Sequence, residues 1–220
     1  MRATWLAFIV FGAMLNAQPQ VAVNPYVLTM IGRYGVSDEG QFMHYGQIAV
    51  QRGRWIPLDV IWVDSGKPGL YRENLVGGGA QIIRRKRFTL TEEAYYTQCT
   101  GPKAKGAGYA LLWTKAETRI TKRLSNDTVW FIYLPLRGNG QARWVIDRAR
   151  MSWDVTPKIR LGLGFAGSRL VGGGPLQPKP FGNVAYKAKA GTFELWAQHL
   201  PTGWGAQVRW ARTFSLPSFK

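Results

Sequence analysis

Two-residue alternation runs through most of the chain, and Gly, Pro, Asn or Asp breaks it roughly every ten to twenty residues. In the segment from Lys158 to Phe165, the residues Ile159, Leu161, Leu163 and Phe165 share one face, while Lys158, Arg160, Gly162 and Gly164 share the other. Side chains alternate across a strand, so this segment has one greasy side and one polar or small side. From Asn183 to Ala190 the pattern repeats, with Val184, Tyr186, Ala188 and Ala190 opposite Ala185, Lys187 and Lys189. Glu117, Arg119, Thr121 and Arg123 form a third polar face, opposite Thr118, Ile120, Lys122 and Leu124. Near the C-terminus Val208, Trp210, Phe214 and Leu216 oppose Gln207, Arg209, Ala211, Thr213 and Ser215, with Arg212 interrupting the apolar row.

The spacing predicts about twelve strands, near 26–34, 41–52, 55–63, 75–85, 88–99, 109–124, 128–136, 143–153, 158–165, 184–189, 193–199 and 207–216. Asp154 to Pro157 and Ala190 to Thr192 are short enough to force antiparallel neighbours. Longer Gly- and Pro-rich pieces, Asp64 to Gly69, Gly101 to Gly108, Gly138 to Gly140 and Gly167 to Gly182, fall at the opposite strand ends. Gly77 to Gly79 and Gly172 to Gly174 lack the Lys-Ser/Thr and following helix of a phosphate loop, and read as bends.

A 220-residue chain that is 46% hydrophobic, with 10 Trp, 9 Tyr and 10 Phe, is not disordered. Residues 1–17 read as a cleaved signal peptide: Arg2 supplies the positive start, Trp5 to Leu15 the apolar run, and Asn16-Ala17 the exit. Residues 18–220 then form one exported domain. Its longest apolar run, Val129 to Leu136, contains Pro135 and is far too short for a membrane helix. Only a closed barrel can otherwise cross a bilayer, because every backbone polar group must be paired inside lipid.

The signal, the amphipathic strands, the turn asymmetry and the aromatics near strand ends (Trp55, Trp62, Trp130, Trp144, Trp153, Trp196, Trp210) resemble bacterial outer-membrane β-barrel proteins. The resemblance implies an all-β fold, a single antiparallel up-and-down transmembrane barrel of 10–12 strands, residence in the outer membrane, and contact with its lipid or lipopolysaccharide. The competing reading is a secreted, polyanion-binding β-sandwich, whose strands also alternate. Val129 to Leu136 is apolar on both faces, which suits a sandwich core or a filled barrel better than a wet pore.

Lys and Arg total 29 against 12 Asp and Glu. A cation facing mid-bilayer lipid costs roughly 2 to 4 kcal/mol, so Arg119, Arg123, Arg148, Lys158, Arg160, Lys187, Lys189 and Arg209 are expected to face the lumen. Two outcomes stay open: a narrow channel preferring small anionic solutes, or a lumen closed by pairing with Glu117, Asp147 and Glu194, which makes a structural or lipid-contacting barrel. Arg84, Arg85, Lys86 and Arg87 suit lipid phosphates at a membrane rim, and an exported chain has no nucleic acid to meet. A rim enzyme acting on lipid A would draw on Ser168, Glu194 and His199, but Glu194 and His199 are five apart and point to opposite faces of one strand. With one Cys and two His at no ligand spacing, no metal or cofactor is expected.

Overall fold

The computed structural model describes residues 26–36, 41–66, 71–102, 104, 106–138, 140–201 and 203–216. The expected signal, residues 1–17, lies outside them. They form twelve strands: β1 Tyr26–Val36, β2 Phe42–Arg52, β3 Trp55–Ser65, β4 Tyr71–Arg84, β5 Phe88–Thr100, β6 Gly108–Arg119, β7 Leu124–Arg137, β8 Arg143–Asp154, β9 Ile159–Leu170, β10 Lys179–Ala188, β11 Gly191–Leu200 and β12 Gly203–Ser215. Each pairs antiparallel with its chain neighbours, and β1 closes on β12 with Ile31 opposite Ala211. Closure leaves no sheet edge, and a two-sheet sandwich is thereby excluded.

One face of each strand is turned outward and is greasy, as alternation requires. Leu161, Leu163, Val184, Tyr186, Leu195 and Val208 are all exposed on that surface. Leu163, 73% exposed, sits mid-strand on β9. Leu163→Arg is expected to lower the stability of barrels refolded into lipid vesicles by about 2–4 kcal/mol. Urea titration reads this, and an unchanged midpoint would place Leu163 outside the hydrocarbon.

The strand that is apolar on both sides finds its reason inside. Val129, Phe131 and Tyr133 of β7 face inward, and Phe131 and Tyr133 pack on a buried cluster of Tyr45, Ile61, Leu75, Tyr95 and Leu111. The inner wall from β2 to β7 thus carries a continuous aromatic and aliphatic cluster. Gly77 serves this wall: a Cβ there would come within 2.6 Å of the Tyr95 ring. The bare backbone lets the ring lie across β4, and its hydroxyl sits 2.9 Å from Asp59 Oδ2 and 2.6 Å from Glu93 Oε2.

Short turns fall at one rim, and the other carries the longer connections together with the two-residue step from β11 to β12. Three expected wall cations belong to short turns instead. β6 ends at Arg119, not Leu124, because Thr121 Oγ1 accepts the amides of Arg123 at 3.2 Å and Leu124 at 2.9 Å. Thr156 Oγ1 does the same for the amides of Lys158 (3.2 Å) and Ile159 (2.9 Å). A hydroxyl that captures these amides diverts the backbone from the ladder, so Arg123 and Lys158 leave the wall. Lys189 lies in the β10–β11 turn, where Ala188 already pairs with Gly191.

Candidate functional site

The middle of the lumen is built around an irregularity in β8. Ile146 pairs with Gly167 and Ala149 with Phe165, so two residues of β8 stand opposite the single Ala166 of β9. This bulge turns both Asp147 and Arg148 inward, where strict alternation would have sent one into lipid. Asp147 accepts two hydrogen bonds from Arg33 of β1, at 2.6 and 3.1 Å, and one from Arg148 at 2.9 Å. Arg148 also donates to Asp127 of β7, whose other oxygen takes Arg150 Nε at 2.7 Å. Arg150 reaches across to Glu194 of β11 at 3.1 Å, and Glu194 is fixed further by Trp196 Nε1 at 2.7 Å. A chain of ion pairs therefore crosses the barrel from β1 to β8, β7 and β11.

Arg209 of β12 stands beside this chain and differs from its members. Its guanidinium lies 3.4 Å from the centre of the Trp196 ring, and it donates to Gln207 Oε1 at 3.3 and 3.1 Å. It forms no salt bridge with any carboxylate among the described residues. Stacking and a neutral amide hold it, and its charge stays uncompensated by direct contact.

The ion pairs separate two chambers. On the long-loop side, a cavity of about 480 Å³ has Tyr71, Tyr109, Trp113 and Tyr133 on one wall and Arg33, Arg143 and Arg209 on the other. On the short-turn side, a cavity of about 280 Å³ is strongly basic, with Phe88 as its one apolar lining residue. A small gap of about 100 Å³ borders both. It shares Arg33, Trp196 and Arg209 with the first chamber and Arg148 and Arg150 with the second, and Glu194 is its acidic lining residue.

The expected cations separate into three groups. Arg148, Arg160, Lys187 and Arg209 face the lumen, and Arg119 lies at its short-turn mouth. Arg160 and Lys187 share Asp154, at 2.8 and 3.1 Å, rather than Glu117 or Glu194. Glu117 pairs with Lys115 at 3.2 Å and takes no part in the central ion pairs. Of the basic quartet, Arg84 ends β4 exposed and opposite Thr89, past a bulge between Gln81 and Ile83, while Arg85, Lys86 and Arg87 line the short-turn chamber.

The enzyme candidates do not assemble. Ser168 lines the long-loop chamber, Glu194 is held among the ion pairs, and His199 lies on the outer surface with its ring 5.4 Å from Trp204. Arg33 and Asp127, both central, escaped the alternation pattern. Arg33 sits between Gly32 and Tyr34, and β1 is mostly apolar on both faces, so no polar row marks it. A solitary Arg amid Met30, Ile31 and Gly32 was the available signal.

No protein-family model matches the sequence, and no curated protein does. Solved structures do. KdgM porin in complex with disordered oligogalacturonate superposes with a TM-score of 0.61 at 8% identity, covering 86% of this chain and 99% of that one. The fold is that of a bacterial outer-membrane β-barrel. NanC porin gives 0.54 at 8% identity over 86% of this chain and 100% of its own, and the β domain of the Bordetella autotransporter BrkA gives 0.50 at 13% over 87% and 99%. Porins and an autotransporter domain share this outer-membrane fold, so what the barrel carries is argued from its lumen.

Proposed function

We propose that the protein is exported on its first 17 residues and works in the outer membrane as a narrow channel preferring small anions. The observation that carries the reading is the gap between the chambers, lined by the guanidinium groups of Arg33, Arg148, Arg150 and Arg209 with Glu194 as the carboxylate. Asp147, Asp127 and Glu194 offset three of these cations, and the charge that remains is that of Arg209; a low-dielectric wall around it concentrates anions and repels cations. KdgM porin was solved with oligogalacturonate, a carboxylated sugar chain. The long-loop chamber has related chemistry, with aromatic rings for sugar faces and Arg209, which has no salt bridge among the described residues, for a carboxylate. At the short-turn rim, the exposed Arg84 at the end of β4 is offered to a lipid phosphate.

Single-channel recording in planar bilayers under a salt gradient tests this. A small conductance with a reversal potential displaced toward the chloride value is expected. Cation preference overturns the reading, and absence of conductance replaces it with a structural barrel closed by its ion pairs.

A further inference from the structure

The two chambers differ in chemistry, and the difference identifies a second site. Asp127 engages Arg148 and Arg150, and Asp154 engages Arg160. The cations nearer the short-turn opening are not matched in this way. Arg85, Lys86, Arg87 and Arg119 show no ion pair with any carboxylate among the described residues, although all four line the same cavity of about 280 Å³. Arg85–Arg87 form the tight β4–β5 turn, closed by the Arg85 amide donating to the Phe88 carbonyl at 2.8 Å. The Arg119 amide donates to the Arg87 carbonyl at 2.8 Å, so the turn is fastened to the end of β6. The four like charges are therefore held together by backbone hydrogen bonds despite their mutual repulsion.

We propose that this mouth is a binding site for multiply charged phosphoryl anions. The inference rests in part on the channel reading, since it assigns a ligand to one mouth of the same lumen. Three features select the chemistry. Three guanidinium forks present paired N–H donors that match phosphate oxygens, and the ammonium of Lys86 adds a fourth cation. Thr89 and Ser125 supply neutral hydroxyl donors at the same lining. Phe88 is its one apolar side chain, so the cavity offers a sugar or an acyl chain a single ring, against the several that line the long-loop chamber. A monovalent anion would leave most of the repulsion in place. An oligophosphate of three or more charges removes it. The phosphoryl group could belong to a soluble oligophosphate or to a lipid headgroup at the rim.

Isothermal titration of the full-length protein with sodium tripolyphosphate, in neutral detergent at moderate salt, reads the site without requiring conductance. Saturable binding is expected, at least tenfold weaker in an Arg87→Gln/Arg119→Gln double variant. A Lys122→Gln/Lys189→Gln double variant removes the same charge from neighbouring turns outside this lining, and should bind as the parent does. Repeating the titration in nanodiscs containing cardiolipin, whose headgroup carries two phosphates, separates the sources. Retained affinity assigns a soluble anion, and competition that vanishes in phosphatidylcholine nanodiscs assigns a lipid phosphate. No saturable binding, or equal weakening in both double variants, overturns the site, because diffuse rim charge would then explain the affinity. Conductance without tripolyphosphate binding sinks only this proposal, and binding without conductance sinks only the channel.

Discussion

Arg209→Glu is expected to turn the anion preference proposed for this barrel into cation preference. Arg209 lies in the lumen beside the gap, stacked on Trp196 and bonded to the neutral amide of Gln207, so no salt-bridged carboxylate offsets its charge. At an effective dielectric of about 20, a unit charge about 8 Å from a passing ion contributes about 2 kcal/mol, and reversing its sign about doubles the change. Each 1.4 kcal/mol is about tenfold in a permeability ratio, so the chloride-to-potassium ratio should fall well beyond tenfold. Arg209→Gln should give an intermediate value. Arg169→Glu makes the same charge change on the outward row of β9 and should leave the reversal potential where it was. If Arg209→Glu keeps the parental reversal potential, ions do not pass Arg209.

Asp147→Asn should be the most destabilising single change in the lumen. Asp147 is the salt-bridge partner of Arg33, whose side chain is 8% exposed, and a second partner of Arg148. The amide keeps the shape and removes the charge, which leaves Arg33 buried without a carboxylate. Removing one member of a buried pair typically costs about 3–5 kcal/mol, and the lower end fits a carboxylate that retains some exposure. The midpoint of urea unfolding from lipid vesicles measures it. Arg33→Met combined with Asp147→Leu should recover most of the loss, because an apolar pair of similar volume needs no desolvated charge. A double variant as unstable as Asp147→Asn would show that packing at the bulge, and not the uncompensated charge, sets the cost.

The other two arginines of the central group are protected differently. Arg148 keeps Asp127 when Asp147 is neutralised, and Arg150 keeps both Asp127 and Glu194. The ion pairs thus branch, and losing Asp147 strands Arg33 alone. This explains why one substitution at β8 should be felt chiefly at β1, although 114 positions separate the pair in the chain.

Strand number, the antiparallel order and the outward face of β9 and β12 were all legible in the residue pattern. Alternation is a local property: Ile159, Leu161, Leu163 and Phe165 declare their face within eight residues, because a pleated strand must place them together. The short turns were legible for the same reason. Thr121 and Thr156 shifted their ends by one to five residues, since a side-chain hydroxyl competing for backbone amides leaves no mark on hydrophobic periodicity.

Charge pairing needed the tertiary structure. The basic faces announced a lumen, but not that Arg160 and Lys187 would meet at Asp154, or that Glu117 would stay outside the central ion pairs. Which carboxylate meets which arginine depends on the register between strands and on closure of β1 against β12, neither of which leaves a local trace. The β8 bulge decided most. By adding one residue against Ala166 it turned Asp147 and Arg148 to the same side, and a period-two reading assigns them to opposite faces. Barrel, strand order and lipid face are consequences of local alternation. The divided lumen, with its arginine-lined gap and its basic mouth, exists only because register, bulge and closure bring distant charges within a few ångströms.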